Sequence, residues 1–203
     1  MNELHDLQKV LLHQLNVLAR FGEMALRSPS LDDILDQACR LVRHALGTDF
    51  AKIMVLESDG QTLILRSGAG WEPGVVGRVL ATGDPRSSEG YALNARQPVV
   101  SVNVQREKRF DYTRFLHEHQ VHALVNVPIL GAVGKPLYGL LEVDSKTPRK
   151  FTERDVDFLR TYASLIAAAV ERFNGLDELR ASEAALRRSE EHYRVAVDRK
   201  SVV

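Results

Sequence analysis

The chain has 203 residues, 44% of them hydrophobic, which is enough for one compact domain with additional helices. Its 27 Lys and Arg residues balance 27 Asp and Glu residues, so the net charge of zero excludes bulk attraction to nucleic acid or to an anionic membrane. No apolar run reaches the roughly 18 residues of a membrane span, no signal-peptide pattern is visible, and one cysteine excludes an intrachain disulfide, so a cytoplasmic protein without membrane insertion is expected.

Two helices are predicted at the start of the chain. Leucines spaced three and four residues apart indicate an amphipathic first helix, at Leu4, Leu7, Leu11, Leu15 and Leu18. The pair Ser28-Pro29 ends this helix, because proline cannot donate a backbone hydrogen bond. Ser30 then caps a second helix with Asp33 as its capping-box partner, and Gly47 ends that helix.

A run of strands follows the second helix. Apolar and β-branched runs predict five strands, at residues 50–57, 62–66, 99–104, 123–130 and 137–144. The stretch between the second and third strands is rich in Gly and Pro, and such a long irregular segment is more often functional than idle. A short helix is predicted at residues 114–120, and Thr152 with Asp155 caps the last helix. Because hairpin connections dominate, we expect an α+β fold with an antiparallel sheet packed against helices.

The residues after Gly175 have a different pattern. Leu179, Leu186 and Tyr193 recur at intervals of seven residues between charged side chains. This spacing is typical of one chain of a two-stranded coiled coil. The alternative is a solvated helix that frays in isolation.

Several segments, in the correct order, resemble bacterial GAF domains. They are Gly90-Tyr91-Ala92-Leu93, Gln97-Pro98-Val99-Val100, Glu107-Lys108-Arg109-Phe110, Asn126-Val127-Pro128-Ile129, Tyr138-Gly139-Leu140-Leu141-Glu142-Val143 and Phe151-Thr152-Glu153-Arg154-Asp155. The resemblance implies a six-stranded antiparallel sheet flanked by helices, a small-molecule pocket, and a homodimer formed through the first and last helices. It implies no particular ligand, because members bind cyclic nucleotides, bilins, haem or amino-acid-like effectors.

A second resemblance sets the expected domain organisation. Residues 187–194 resemble the opening of a PAS domain, as found after GAF domains in sensor histidine kinases. Four segments are expected: an N-terminal helix (1–27), a GAF-like sensory domain (28–174), a coiled-coil linker with the start of a PAS-like segment (175–197), and a tail that does not continue the resemblance and is predicted to be non-native (198–203).

These resemblances imply the signal-input fragment of a two-component sensor, which senses a small ligand or relays a signal through dimeric helices. Its expected partners are a second copy and the downstream PAS and kinase domains. The alternatives are a ligand-free dimerisation module, or the GAF input of a transcription activator or of a cyclic-di-nucleotide enzyme.

Candidate ligand-binding residues lie in the Gly- and Pro-rich middle of the chain and just after it. Aromatic rings supply flat apolar surface, and serine hydroxyls and amides at a helix start can bind an anion or a carbonyl. An arginine can pair with a carboxylate or phosphate. The predicted pocket residues are Trp71, Ser87, Ser88, Tyr91, Arg109 and Phe110. The alternative is that these residues only pack the loop.

Two sets of structural contacts are also predicted. Cyclic-nucleotide GAF domains carry an Asn-Lys pair, a Phe and an Asp-Glu pair, of which this chain keeps Lys146, Phe151 and Asp155. The departures disfavour cyclic-nucleotide binding and leave a structural ion pair between Lys146 and Asp155. The predicted dimer contacts are leucines of the terminal helices, namely Leu4, Leu11, Leu18, Leu176, Leu179 and Leu186.

No complete catalytic site is expected in the sequence. Cys39 shares a helical face with apolar residues, which indicates a buried and inert thiol. Asp111 and Tyr112 stand where bilin-binding GAF domains carry Cys-His, so no covalent bilin is expected.

The histidines are the remaining candidates for chemistry. His117, His119 and His122 are spaced poorly for a metal site, and no long phosphoacceptor helix continues past His117. We therefore expect no catalytic residue, no metal, no cofactor and no enzymatic activity in this fragment.

Overall fold

The computed structural model describes the backbone of residues 2–132 and 134–200, and the side chains of residues 5–79, 81–132 and 134–192. The chain divides into two compact units, with the boundary between Ala169 and Val170. The first unit contains the whole sheet and the helices packed on it. The second contains the C-terminal part of the last helix.

The described residues form helices and strands in mixed order. They are α1 (Asn2–Arg27), α2 (Leu31–Leu46), β1 (Phe50–Leu56), β2 (Thr62–Ala69), β3 (Val79–Thr82), α3 (Ser88–Ala95), β4 (Val99–Ser101), α4 (Arg114–Glu118), β5 (Ala123–Ile129), β6 (Gly139–Ser145) and α5 (Glu153–Lys200). The six strands make one sheet in the order β3-β2-β1-β6-β5-β4, and every neighbouring pair is antiparallel. The predicted α+β fold, a six-stranded antiparallel sheet flanked by helices, is therefore confirmed.

Strand β3 is the element that the sequence pattern missed. Its four residues, Val-Leu-Ala-Thr, form only a short apolar run inside the Gly- and Pro-rich stretch. It is a strand because it pairs with β2, with Thr62 opposite Thr82 and Ile64 opposite Val79. Pairing with a partner that is distant in sequence is information that a local pattern does not contain.

The predicted helix caps are present in the structure. The Ser30 hydroxyl accepts a hydrogen bond of 3.2 Å from the amide of Asp33, and Gly47 ends α2 in the left-handed conformation with φ of 58°. At α5 the bonds are reciprocal. The amide of Thr152 donates to the Asp155 carboxylate over 2.9 Å, and the amide of Asp155 donates to the Thr152 hydroxyl over 3.2 Å.

The two faces of the sheet carry different side chains, because successive residues of a strand point to opposite sides. One face, which we call the apolar face, lies against α2: Ser67 of β2, which is opposite Ile53, bonds to Asp36 of α2. The buried strand residues of the apolar face include Ala51, Ile53, Val125, Val127, Leu141 and Val143. The other face lies against α3, because Asn126 of β5 bonds to Ser88.

The first helix packs on α2 through residues outside the leucine stripe, of which Leu4, Leu11 and Leu18 are predicted to make dimer contacts. Val17, Phe21 and Ala25 are buried, and the Phe21 ring lies 4.6 Å from the ring of Tyr162. Leu11 and Leu15, two residues of the predicted leucine stripe, are exposed. The reason is that the larger aromatic Phe21 faces α2 and α5, which turns the leucine-rich side of α1 outward.

Two further features bear on function. Cys39 is fully buried in α2, as predicted. Within the described part of the chain, none of the helices combines the length and the apolar composition that crossing a membrane requires.

Candidate functional site

The site begins with a row of polar side chains across the centre of the sheet. Lys52 of β1 lies directly opposite Glu142 of β6, which lies directly opposite Asn126 of β5. Directly opposed residues share a face, so the three side chains point the same way, together with Asp144 two residues after Glu142. All four are buried, and Lys52 is only 1% exposed.

Helix α3 covers this row. Its first residues, Ser88 and Glu89, are buried above the strands. The Ser88 hydroxyl donates to the Glu89 carboxylate over 2.8 Å and accepts a 3.2 Å hydrogen bond from the Asn126 amide group. We call the resulting group of six side chains the polar cluster: Lys52, Ser88, Glu89, Asn126, Glu142 and Asp144.

Lys52 is the single basic member of the polar cluster. Its ammonium group forms ion pairs with Glu142 and, at 3.2 Å, with Asp144. The same nitrogen lies 4.8 Å from the centre of the Trp71 ring and 5.9 Å from that of Phe115, within the range of a cation–π interaction. One buried ammonium group therefore pairs with two of the three carboxyl groups of the cluster.

Burial and like charge shift the titration of these groups. Burial, followed by the nearby Glu142, raises the pKa of Glu89 to about 7, although Lys52 acts in the opposite direction. Burial and then Asp144 raise the pKa of Glu142 well above its ordinary value. Burial lowers the pKa of Lys52, but Asp144 and Glu142 together outweigh it and the net pKa is raised. Lys52 is therefore charged at neutral pH, while Glu89 and Glu142 hold protons more readily than exposed carboxyl groups do.

Two acceptor atoms of the polar cluster have no hydrogen-bond partner. They are Oδ1 of Asn126 and Oε2 of Glu142, both fully buried. An unpaired buried acceptor costs about 1–3 kcal/mol. The Asn126 oxygen calls for a donor that none of the described contacts supplies, whereas Glu142, with its raised pKa, can carry a proton and share it in a hydrogen bond with Asp144.

The structure places two of the predicted pocket residues at this site. Ser88 belongs to the polar cluster. Trp71 stacks on Phe50 with ring centres 4.1 Å apart, and its indole nitrogen donates to the backbone oxygen of Ala51 over 3.0 Å. The Trp71 ring thus forms one wall beside the Lys52 ammonium group.

The other predicted pocket residues are occupied by neighbours in the chain. The Ser87 hydroxyl caps α3 by accepting from the amide of Gly90 over 2.9 Å. The Arg109 guanidinium bonds to Glu107 and, over 2.8 Å, to the backbone oxygen of Val100. Tyr91 and Phe110 pack on one another, with ring centres 5.4 Å apart. These contacts hold the loops above the sheet in place.

Sequence reasoning missed most of the polar cluster, although a signal was present. Lys52, Glu142 and Asp144 interrupt strands that are otherwise apolar. A charge inside a buried strand is costly unless it is paired, so such interruptions mark a candidate site. Glu89 and Asn126 were weaker indications of a site in the sequence. Glu89 lies in the short helix α3 and Asn126 in strand β5 of a hairpin, and both kinds of element tolerate polar residues.

The predicted ion pair between Lys146 and Asp155 does not match the contacts seen. The Lys146 ammonium group lies 5.1 Å from the centre of the Phe50 ring, and the Lys146 backbone amide donates to Asp49 over 2.7 Å. The Asp155 carboxylate instead caps α5 through Thr152. Lys146 and Asp155 therefore have different partners, because the Asp155 carboxylate is used in the capping box at the start of α5.

The histidines bind protein groups. The His119 ring bonds to the backbone oxygen of Phe115 at 2.9 Å, and the His122 ring lies 3.1 Å from the side-chain nitrogen of Gln105. Among the residues with described side chains, no group of three or more His, Cys, Asp or Glu is arranged to hold a metal ion.

An open surface groove of about 460 Å³ lies away from the polar cluster. It is lined by Val102, Asn103, Arg106, Glu107, Pro148, Arg149 and Lys150. It contains none of the predicted pocket residues, and its acidic member Glu107 is already bound by Arg109. We regard the polar cluster as the candidate site, because its unpaired buried acceptors require an explanation and an exposed groove does not.

Comparison with known proteins agrees with the fold. The GAF domain model matches residues 30–170. Two similar structures are GAF domains of phosphoenolpyruvate-protein phosphotransferases. The one from Acinetobacter is 24% identical with a TM-score of 0.69, and the match covers 81% of this chain and 97% of that one. The one from Coxiella burnetii is 18% identical with a TM-score of 0.72, and the match covers 82% of this chain and 98% of that one. Free methionine-R-sulfoxide reductase from Neisseria meningitidis, in complex with its substrate, is also similar. It is 17% identical with a TM-score of 0.66, and the match covers 80% of this chain and 90% of that one. No curated protein matches the chain. Because the family model spans well over half of the 203 residues, the chain belongs to the GAF domain family.

Proposed function

We propose that this chain is the signal-input domain of a sensor protein, and that it binds a small ligand at the polar cluster. The observation that carries the proposal is the pair of unpartnered buried acceptors, Asn126 Oδ1 and Glu142 Oε2, beneath α3. A ligand with hydrogen-bond donors would satisfy both atoms. Its binding would also affect the hydrogen bonds at the start of α3, because Ser88 of that helix bonds to Asn126 and to Glu89.

The cost of the polar cluster supports a binding role over a purely structural one. Removing a charge from water costs several kcal/mol per ion, and well-packed apolar residues of similar volume often replace buried ion pairs without loss. The same strands achieve apolar packing on their other face, so the chain has that option. The Neisseria reductase of the same fold is in complex with its substrate, which agrees with a fold that can enclose a small molecule.

A ligand screen with a pair of neighbouring substitutions tests the proposal. We expect at least one small polar compound to raise the melting temperature in a saturable way, because ligands stabilise the state that they bind. Asn126→Ala should abolish this effect. Val127→Ala, which alters the apolar face at the next residue, should lower stability but keep the binding constant. Equal affinity in both variants, or no saturable binding by the wild type, would contradict the proposal.

The proposed output is a downstream PAS and histidine kinase pair of a two-component phosphorelay. This rests on the PAS-like segment at residues 187–194. Solved structures with the same fold include a methyl-accepting chemotaxis protein as well as the phosphotransferase domains, so several outputs are compatible with the fold. Sequencing the gene downstream of residue 197 tests the proposal, and an ATPase or nucleotide-cyclising domain there would overturn it.

We propose no enzymatic activity for the chain itself, because its single cysteine is fully buried in α2. Incubation with radiolabelled ATP should leave the protein unlabelled. Label retained on His117, which is exposed on the short helix α4, would show that this inference is wrong.

We propose that the chain forms a homodimer through exposed leucines of α1 and α5, and that these helices transmit the signal. Leu11 of α1 is 38% exposed, and in α5 Leu176, Leu179 and Leu186 are 38%, 57% and 61% exposed. Leu18 is partly buried, and the side chain of Leu4 lies outside the described residues. Exposed leucines at heptad spacing are typical of a coiled-coil seam.

Sedimentation velocity tests the dimer. Leu179→Lys combined with Leu186→Lys should shift it toward monomer. The matched control, Ala181→Lys with Ala184→Lys, adds the same charge on the opposite side of the helix and should leave the dimer intact. A wild-type chain that is monomeric at high micromolar concentration would contradict this proposal.

One observation favours a second candidate, a ligand-free dimerisation module. Lys52 already neutralises part of the polar cluster through Glu142 and Asp144. On that hypothesis the cluster stiffens the sheet and the helices alone carry the signal. The ligand screen separates the two, because only the first proposal predicts saturable binding that depends on Asn126.

A further inference from the structure

We propose that the polar cluster is an ammonium-binding site in which Lys52 is the resident cation, and that its ligand is an organic ammonium compound that displaces the Lys52 ammonium group. This inference rests on the proposed function, because it concerns the same site. It specifies the chemical class of the ligand and gives Lys52 the role of an internal competitor.

The charges select a cation. Three carboxyl groups, of Glu89, Glu142 and Asp144, are buried in the cluster, and two of them, Glu142 and Asp144, form ion pairs with its one ammonium group. The groups expected from the sequence to bind an anion, the Arg109 guanidinium and the Ser87 hydroxyl, are bound to other parts of the chain. The ammonium group of the cluster is thus already paired with carboxyl groups, which disfavours an anionic ligand.

The aromatic walls favour an organic ammonium group over a bare ion. Trp71 and Phe115 present rings at 4.8 and 5.9 Å from Lys52 Nζ. Trp71 is held independently of Lys52, by stacking on Phe50 and by its hydrogen bond to Ala51. The wall therefore remains in place when the Lys52 side chain leaves. Ring faces attract ammonium groups and also cover their alkyl substituents.

The unpaired acceptors show what Lys52 does not supply. Its ammonium group bonds to Oε1 of Glu142 and lies 3.2 and 3.5 Å from the two carboxylate oxygens of Asp144. It makes no hydrogen bond to Glu142 Oε2 or to Asn126 Oδ1. Lys52 is attached to β1 and reaches only the first group of acceptors, on Glu142 Oε1 and Asp144. A free ligand with an ammonium group and a second donor can also reach Glu142 Oε2 and Asn126 Oδ1.

The decisive experiment replaces the tethered cation with a free one. Lys52→Ala removes the ammonium group and its alkyl chain, and n-propylammonium chloride supplies both. Trp71 is the chain's single tryptophan, so its fluorescence reports directly on the site. We expect a saturable change in Trp71 emission and a rise in melting temperature. Sodium chloride at equal ionic strength and n-propanol at equal concentration should produce neither.

Lys52→Met is the matched control. Its side chain fills the alkyl space but carries no charge, so n-propylammonium should not bind to this variant. Equal responses to n-propylammonium and sodium chloride in Lys52→Ala would overturn the inference. So would rescue of Lys52→Met as strong as that of Lys52→Ala.

The wild-type protein keeps the inference testable if Lys52→Ala does not fold. Where both proteins fold, n-propylammonium should bind the wild type with an apparent Kd at least about tenfold weaker than that of Lys52→Ala, because the Lys52 side chain occupies the site for most of the time. If only the wild type folds, a saturable Trp71 response that sodium chloride does not reproduce supports the inference, and no such response overturns it.

The result also separates this inference from the proposed function. A neutral or anionic ligand that depends on Asn126, with no response to n-propylammonium, would leave the sensor proposal intact and reject the ammonium site. Rescue of Lys52→Ala by n-propylammonium, with no compound of any class binding to the wild type, would show only that the emptied lysine space accepts an ammonium group, and it would reject both proposals.

Discussion

Adjacent residues of one strand show how differently the two faces of the sheet are built. Ile53 points to the apolar face and packs beneath α2, while Lys52 points to the polar cluster beneath α3. Both side chains are completely or almost completely buried. The apolar face gains stability from area removed from water, at about 25 cal/mol per Å². The polar face retains charges that cost free energy to bury.

Burial alone therefore does not identify a core. On the apolar face, burial and composition agree, and the residues need no further explanation. On the other face, Met54 and Leu140 belong to an apolar cluster, and burial and composition disagree beside it, where three strands and the start of α3 meet. The following predictions test whether the two faces respond differently to substitution and to pH.

The largest effect is expected from Lys52→Met. Removing one partner of a buried ion pair typically costs about 3–5 kcal/mol, because the remaining charges are left unpaired. The cost should be smaller near pH 5 than near pH 8, since the carboxyl groups can then take up protons. Urea unfolding followed by circular dichroism measures it. A pH-independent loss would mean that Lys52 acts through packing alone.

A somewhat smaller effect is expected from titration of Glu89. Its pKa in the folded protein is raised to about 7, so the folded state holds a proton that the unfolded chain releases above its ordinary value near 4.5. Stability is therefore highest below that value and falls as the pH rises through about 7, by about 2–3 kcal/mol between pH 5 and pH 8. Glu89→Gln should reduce this pH dependence, and the part that remains is expected from Glu142, whose raised pKa acts in the same direction.

Glu107→Gln is the control for the pH experiment. Hydrogen bonds from Arg109 lower the pKa of Glu107 to about 2, so its contribution to stability is present above pH 4.5 and is lost as the pH falls toward 2. This variant should keep the wild-type slope between pH 5 and pH 8. A wild-type slope that persists in Glu89→Gln would show that another group is responsible.

A still smaller effect is expected on the apolar face. Ile53→Val removes one buried methylene group and should cost about 0.5–1.5 kcal/mol. Because no ionisable group is removed, the loss should be equal at both pH values in the urea experiment. A marked pH dependence for Ile53→Val would contradict the separation of the two faces.

The smallest effect is expected at Cys39. Burial raises the pKa of this thiol to about 12, so almost no thiolate is present near pH 8. Iodoacetamide should leave the folded protein unmodified, and mass spectrometry should detect one added group after unfolding in concentrated urea. Rapid alkylation of the folded chain would show that α2 opens away from the sheet.

Local chemistry explains why much of the fold could be read from the sequence. The caps at Ser30 and Thr152 and the turn after β1 depend on residues within a few positions of one another. The fully buried strands β5 and β6 were visible as apolar runs. Strand β3 was not, because it is defined by its pairing with β2 rather than by its own composition.

The candidate site could be predicted only in part. Trp71 and Ser88 were identified because aromatic rings and a helix start are local signals. Arg109 appeared free in the sequence, but the fold pairs it with Glu107 and Val100. The sequence thus suggested a site for an anion, while the assembled side chains present excess acid.

The order of the elements, their caps and the GAF resemblance follow from the sequence, since each depends on short-range patterns. The sharing of one face by several buried charges follows from the fold. Asn126, Glu142 and Lys52 lie side by side solely because β5, β6 and β1 are neighbours in register, although Lys52 is 90 positions away from Glu142 in the chain. Register between strands is set by the packing of the whole sheet, so the polar cluster exists only in the folded protein.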